Sequence, residues 1–221
     1  APAVLVIHGW NSRTEHMRPI VEGLRRTGFR VIALDLPGHG ASPGRRLDMA
    51  LAVAAVRAAA DWFGPFAAIV GHSFGGAVAV NAAVGTLPGI APVAAERLGL
   101  IAAPCSIPAL FQDFGRFLGL GTRAQTALAA QVERVTGRRL EDFVVADQLR
   151  AHPLPTLAIH APDDKEVPFA DARRVEEAGG HVRLMRAPGR GHRRILADQE
   201  VVDAIVEFTL TRQVPVAAAR G

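Results

Sequence analysis

The sequence predicts an α/β fold built on a mostly parallel sheet of about six strands with helices on both faces. Two observations predict it. Short apolar, β-branched runs alternate with longer helical patterns from one end of the chain to the other. Each short run is also almost continuously hydrophobic, as a strand covered on both faces must be, and does not alternate with polar residues. Size agrees: 221 residues, 49% hydrophobic and 21% charged, suit one compact domain with a sizeable core.

The strands are expected at Ala3–Ile7, Arg30–Leu34, Phe66–Val70, Leu98–Ala103, Thr156–His160 and Val182–Arg186. Each is five or six residues long and bounded by glycine or proline. Helices are expected between them, at Glu15–Thr27, Leu47–Phe63, Phe74–Val84, Ala170–Ala178 and Asp198–Leu210. This order implies βαβ crossovers.

One interval breaks the rhythm. From Ile107 to about Pro153 the chain carries helical patterning and no strand, so residues 107–153 are expected to form a helical lid. Residues 1–106 and 154–221 are expected to form the core. Phe111, Phe114, Phe117 and Leu118 recur at three- and four-residue spacing. Thr122 can cap a second helix running to Gly137, and a third covers Leu140–Leu149. The phenylalanine stripe suits packing against the body, and is compatible with the roof of a substrate pocket, because a lid must pack too.

Composition narrows the possible partners. No apolar segment approaches the roughly 18–20 residues needed to span a bilayer, so no membrane span is expected. Cys105 is the only cysteine, which rules out an intramolecular disulfide and favours a reducing compartment. With no charged segment before the first strand, a cytoplasmic location is expected. The formal charge is +4, Lys165 is the only lysine, and the arginine pairs are scattered. A nucleic-acid surface would concentrate them on one stripe with interleaved aromatics, so solvated arginines and no nucleic-acid partner are expected.

Chemistry enters at Gly71-His72-Ser73-Phe74-Gly75. A serine hydroxyl is a poor nucleophile at neutral pH and must be held beside a base. A tight turn between a buried strand and a helix lifts its oxygen above the sheet edge, and the glycines remove side chains that would clash there. The N–H of Phe74 then lies at a helix N-terminus, able to donate to a developing oxyanion. A second donor is expected from the loop after Ala3–Ile7, where Gly9 lets the chain turn and present the N–H of Trp10.

The base must be a histidine. His8, His39 and His72 flank glycine turns and are expected to shape or line the site; His160 ends a strand and is expected to pack beneath it. His192, in a flexible Gly-Arg-Gly-His loop between the last strand and the last helix, stands where a base is required. For the carboxylate, Asp163 and Asp164 both follow the Thr156–His160 strand, at the carboxyl edge where open α/β sheets place catalytic groups. Pocket-lining candidates are His72, Cys105, Phe111 and Phe114.

Five segments together resemble the α/β-hydrolase superfamily over almost the whole chain. They are H-G-W at His8–Trp10, D-L-P-G-H-G-A-S at Asp35–Ser42, G-H-S-F-G-G at Gly71–Gly76, H-A-P-D-D-K-E-V-P at His160–Pro168 and G-H at Gly191–His192. The resemblance implies a Ser73–Asp164–His192 triad, because the family pattern H-G-x-x-D-x-x-V-P puts the acid on Asp164. Ala161 departs from that pattern, standing where glycine is usual. The chain opens on what would be the family's third strand, which implies a smaller sheet of six strands. It implies a serine hydrolase, most readily a carboxylesterase acting on small or medium acyl esters through an acyl-serine. Thioesterase, amidase, C–C hydrolase and acyltransferase chemistry use similar triads, and a small-molecule receptor could share the fold. No cofactor or metal is implied: H-E-x-x-H, C-x-x-C and G-x-x-x-x-G-K are all missing from the sequence.

Overall fold

An apolar run leaves water only if both of its faces are covered; the four central strands of one six-stranded parallel sheet meet that condition, while the edge strands Arg30–Leu34 and Val182–Arg186 stay partly exposed. The computed structural model describes residues 1–211, apart from the side chains of Phe114 and Phe117. Strands β1 (Ala3–Ile7), β2 (Arg30–Leu34), β3 (Phe66–His72), β4 (Leu98–Ile101), β5 (Thr156–His160) and β6 (Val182–Arg186) lie in the order β2-β1-β3-β4-β5-β6. Winding therefore reverses at β1. The carboxyl ends of β1 and β3 meet at the switch point where open α/β sheets hold ligands.

Side chains alternate between the two faces with the strand period. Leu5, Ile7 and Ile69 join a core cluster with Ala52, Val53 and Val56 of α2 (Met49–Phe63) and Ala77–Val80 of α3 (Phe74–Val84). Val4, Val6 and Val70 face the other way. They pack with Ile20 and Leu24 of α1 (Arg18–Arg26) and with Val201, Val202 and Ile205 of the last helix, Gln199–Leu210. Asp48 and Asp198 cap their helices, accepting hydrogen bonds from the N–H groups of Leu51 and Val201 at 2.8 and 3.2 Å.

Three helices occupy the interval between β4 and β5: α4 (Ile107–Phe117), α5 (Thr122–Thr136) and α6 (Val145–Ala151). Their root is pinned. Ile107 N–H donates to Phe143 O (3.1 Å), Val145 N–H to Cys105 O (2.7 Å), and the Cys105 N–H to the buried carboxylate of Asp171 (2.9 Å). These bonds explain why the helix expected over Leu140–Leu149 divides into a 3₁₀ turn and α6, since the chain between them is engaged in pairing across the root. Gln148 on α6 reaches α3, donating to the buried Asn81 Oδ1 at 2.8 Å.

Smaller differences have local causes. Thr122 is the first residue of α5, and Gly121 occupies its cap without a side-chain bond. The helix expected from Glu15 begins as a 3₁₀ turn over Thr14–Met17 before α1. Not every arginine is solvated: Arg97 is 3% exposed, donates to Phe208 O (2.6 Å) and lies 5.5 Å over the Phe208 ring, closing the end of the last helix.

Candidate active site

At the end of β3 the backbone turns within one residue. Ser73 has φ 51° and ψ −125°, a conformation that costs a non-glycine residue roughly 1–3 kcal/mol and persists only when its surroundings over-determine it. They do so here: Ser73 N–H donates to Ile101 O and Gly76 N–H to Ser73 O, both at 2.9 Å. The flanking glycines answer to close approach. A Cβ on Gly71 would overlap the Gly75 carbonyl, and one on Gly75 would overlap the carbonyls of Ile7 and His8. The elbow is thus wedged onto the end of β1.

Asp164 sits in the loop between β5 and α7 (Phe169–Glu176). His192 sits on α8 (Gly191–Arg194), a single helical turn where the sequence suggested a flexible loop. His192 Nε2 lies 3.0 Å from Ser73 Oγ, and Nδ1 lies 2.8 Å from Asp164 Oδ2. A carboxylate only accepts, so Nδ1–H donates to Asp164, and the Ser73 hydroxyl donates to Nε2. The Asp164 side chain is fully buried; Oδ1 accepts from the N–H groups of Glu166 and Val167 at 2.8 and 2.9 Å, and Oδ2 stands 3.4 Å from His160 Nε2. Burial alone would raise this carboxyl. The bonds from His160, His192 and Val167 outweigh it and hold the group well below the usual carboxylate range. Asp163 points elsewhere, accepting from Gly189 N–H (2.7 Å) and so tethering the loop that leads into α8.

The Gly9–Trp10 turn lies over the elbow: a Cβ on Gly9 would come within 3.0 Å of Ser73 Cβ. Among the described residues, none accepts a hydrogen bond from the backbone N–H of Trp10 or Phe74. The Trp10 ring, 57% exposed, meets the rings of Phe74 and His39 edge-on at 5.5 and 5.9 Å. His8 is buried beneath. Its Nδ1–H donates to Gly9 O (2.7 Å) and its Nε2 accepts from Leu36 N–H (3.0 Å); burial lowers its pKa. Asp35 folds the D-L-P-G-H-G-A-S loop beside this rim by accepting from Thr14 and Ala41 N–H, both at 2.8 Å. Gly40, at φ 52°, lies so close that any Cβ there would overlap the Asp35 carboxylate.

The pocket candidates separate. His72 is buried behind His192, its ring centroid 4.9 Å from that of the base. Cys105 is buried in the larger core cluster, where burial pushes its thiol up to about 11. Phe111, on α4, is half-buried against that cluster. Phe114 is also on α4, and its side chain lies outside the described residues. Sequence reasoning missed Glu166, whose Oε2 lies 3.8 Å from His192 Nε2 while Arg193 pairs with the same carboxylate at 3.1 Å. Its only signal was its place two residues after Asp164. Among the described residues no group of three or more histidine, cysteine, aspartate or glutamate side chains is arranged to hold a metal, and no helix is long and apolar enough to cross a membrane.

The sequence pattern of the Alpha/beta hydrolase family matches residues 4–204. The chain belongs to this family. Among curated members, a pimeloyl-[acyl-carrier protein] methyl ester esterase of Xylella fastidiosa is 34% identical over 111 residues, 48% of this chain and 38% of that protein. The chain therefore matches well under half the length of that relative. Among solved hydrolase structures, Est1E from Butyrivibrio proteoclasticus with ferulic acid bound superposes with a TM-score of 0.77 at 23% identity, covering 95% of this chain and 88% of that one. NosK from Streptomyces actuosus gives a TM-score of 0.66 at 28% identity, covering 94% and 96%. In this member of the family a six-stranded parallel sheet and its flanking helices span the described chain.

Proposed function

We propose that the chain is a serine carboxylesterase that cleaves small or medium acyl esters through an acyl-serine. The observation that carries this is the continuous contact from Ser73 Oγ through the His192 ring to the buried Asp164 carboxylate. In the reaction, His192 Nε2 takes the hydroxyl proton as Ser73 Oγ attacks the ester carbonyl carbon. Asp164 holds the imidazole in the Nδ1–H tautomer and stabilises the imidazolium. The N–H groups of Trp10 and Phe74 receive the oxyanion, a donor of this kind contributing about 3 kcal/mol in other hydrolases. Nε2–H then protonates the departing alcohol. Water activated by the same nitrogen attacks the acyl-serine, releasing the acid and restoring Ser73.

The likeness to a methyl ester esterase supports an ester over a dehalogenase or epoxide substrate, and a serine at position 73 in place of a carboxylate supports it further. Residues 107–153 serve as the cap. Its root is bonded to the core through Val145 and Cys105. No cofactor enters the scheme. The test is labelling by a fluorophosphonate and turnover of a p-nitrophenyl ester panel, beside Ser73→Ala. Loss of both in the variant is expected; labelling or turnover that survives it refutes Ser73 as nucleophile.

A further inference from the structure

His72 is a buried histidine that the scheme above does not use. It immediately precedes Ser73, and its Nε2 lies 2.8 Å from the backbone carbonyl of His192, across 120 residues of chain. A carbonyl only accepts, so Nε2 carries the proton. Burial, with His192 beside it, pushes its pKa down to about 3, so the ring is a fixed neutral donor at any working pH. The opposite edge carries no bond: Nδ1 is buried without a partner, 3.2 Å from where a Cβ on Gly9 would stand. The ring therefore fills the space between the Gly9–Trp10 turn and α8 and is held at its Nε2 edge alone.

That bond falls on the carbonyl of the base itself. α8 is only four residues long, too short to satisfy its own carbonyls, so this carbonyl needs a donor from outside the turn. On the other side Ser73 is pinned by Ile101 O and by the glycine contacts of the elbow. Resting on the reading of Ser73 and His192 given above, we infer that His72 is a positioning residue that fixes the main chain of the base against the elbow. Without it α8 loses its tie to β3, while Asp163 and Asp164 still hold the loop from the β5 side. A displacement of about 1 Å at such a contact can cost on the order of 100-fold in rate.

Three substitutions test it. The amide nitrogen of His72→Gln can reach the place of Nε2, that of His72→Asn only the place of Nδ1, and His72→Met fills similar space with no donor. The readouts are the rate of fluorophosphonate labelling, kcat and KM on p-nitrophenyl butyrate, and folding by circular dichroism. The glutamine variant is expected within about 3-fold of the parent in kcat and labelling rate. The asparagine and methionine variants are expected to lose roughly 10- to 100-fold in both, with KM within about 2-fold. A folded methionine variant that labels at the parental rate overturns the inference. So does a glutamine variant as slow as asparagine, a comparison that stands even if methionine fails to fold. Ser73→Ala is run alongside. If it still labels, the reading of Ser73 fails; if it is silent while methionine matches the parent, only the role of His72 fails.

Discussion

The neutral state of His72 carries a stability cost that pH exposes. In the unfolded chain this histidine ionises near the ordinary value of 6.5, and in the fold near 3. As pH falls below 6.5 the unfolded chain takes up a proton that the folded chain refuses, so folding stability declines down to about pH 3. Above 6.5 the contribution is complete. The slope is about 1.4 kcal/mol per pH unit for one fully shifted group. Between pH 7 and pH 5 the window spans about 1.5 units, giving a loss of roughly 2 kcal/mol from His72 alone. The perturbation is His72→Gln, which removes the titrating ring. Urea unfolding of both proteins at pH 7 and pH 5 gives four free energies, and only their double difference matters. His8, also lowered by burial, acts in the same direction but is common to both proteins and cancels. Asp164, held low, loses its contribution only below about pH 4, outside the window. The parent should lose about 2 kcal/mol more than the variant. Equal losses would show that His72 takes up its proton in the fold, and the ring could not then be the neutral donor described above.

Other expectations separate neighbouring residues. Asp164→Asn should lower kcat by about 10³- to 10⁴-fold, since it disturbs the tautomer and leaves the imidazolium uncompensated. Asp163→Ala, which releases only Gly189 N–H, should cost far less, and equal losses on p-nitrophenyl esters would refute the assignment of the acid. Gly75→Ala drives a methyl into the carbonyls of Ile7 and His8, which cannot move without shifting β1. It should destabilise by more than about 3 kcal/mol or prevent folding, and a parental melting temperature would show that the elbow is looser than described. Gln148→Leu strips the buried Asn81 Oδ1 of its donor from α6 and should cost about 1–3 kcal/mol in urea unfolding, with labelling of Ser73 unchanged.

The strands were legible because a strand buried on both faces writes its own continuous apolar run. Ala3–Ile7 and Thr156–His160 are such strands, whereas the edge strands Arg30–Leu34 and Val182–Arg186 carry arginines and stay partly exposed. β3 runs two residues further than its apolar stretch because Gly71 and His72 still pair with β4, and polarity gives no warning of pairing. β4 ends sooner, at Ile101, because Ala102 turns to φ 49°. Ser73 was legible from its glycines, which record the close approach of two carbonyls. Two adjacent aspartates could not be told apart from residue type: Asp163 and Asp164 differ only in which way the loop turns them. The contacts of Glu166 and His72 were likewise invisible, being made to residues 26 and 120 positions away.

The histidines show why the base could be singled out at all. A neutral imidazole offers one donor and one acceptor at opposite edges of a rigid ring, well suited to joining two loops through their backbones. His8, His72 and His160 each stand at the carboxyl end of a strand and commit a ring nitrogen to a main-chain carbonyl. His8 links Gly9 O to Leu36 N–H, His72 holds His192 O, and His160 reaches Val167 O at 3.0 Å. A ring nitrogen committed to a main-chain carbonyl cannot shuttle a proton, because the carbonyl returns none. His192 differs in that both nitrogens face side chains: a hydroxyl that can give a proton and a carboxylate that can stabilise the charge left behind. The scaffold histidines spend their bonding capacity on geometry, and the fold keeps one imidazole at the sheet edge with its chemistry free.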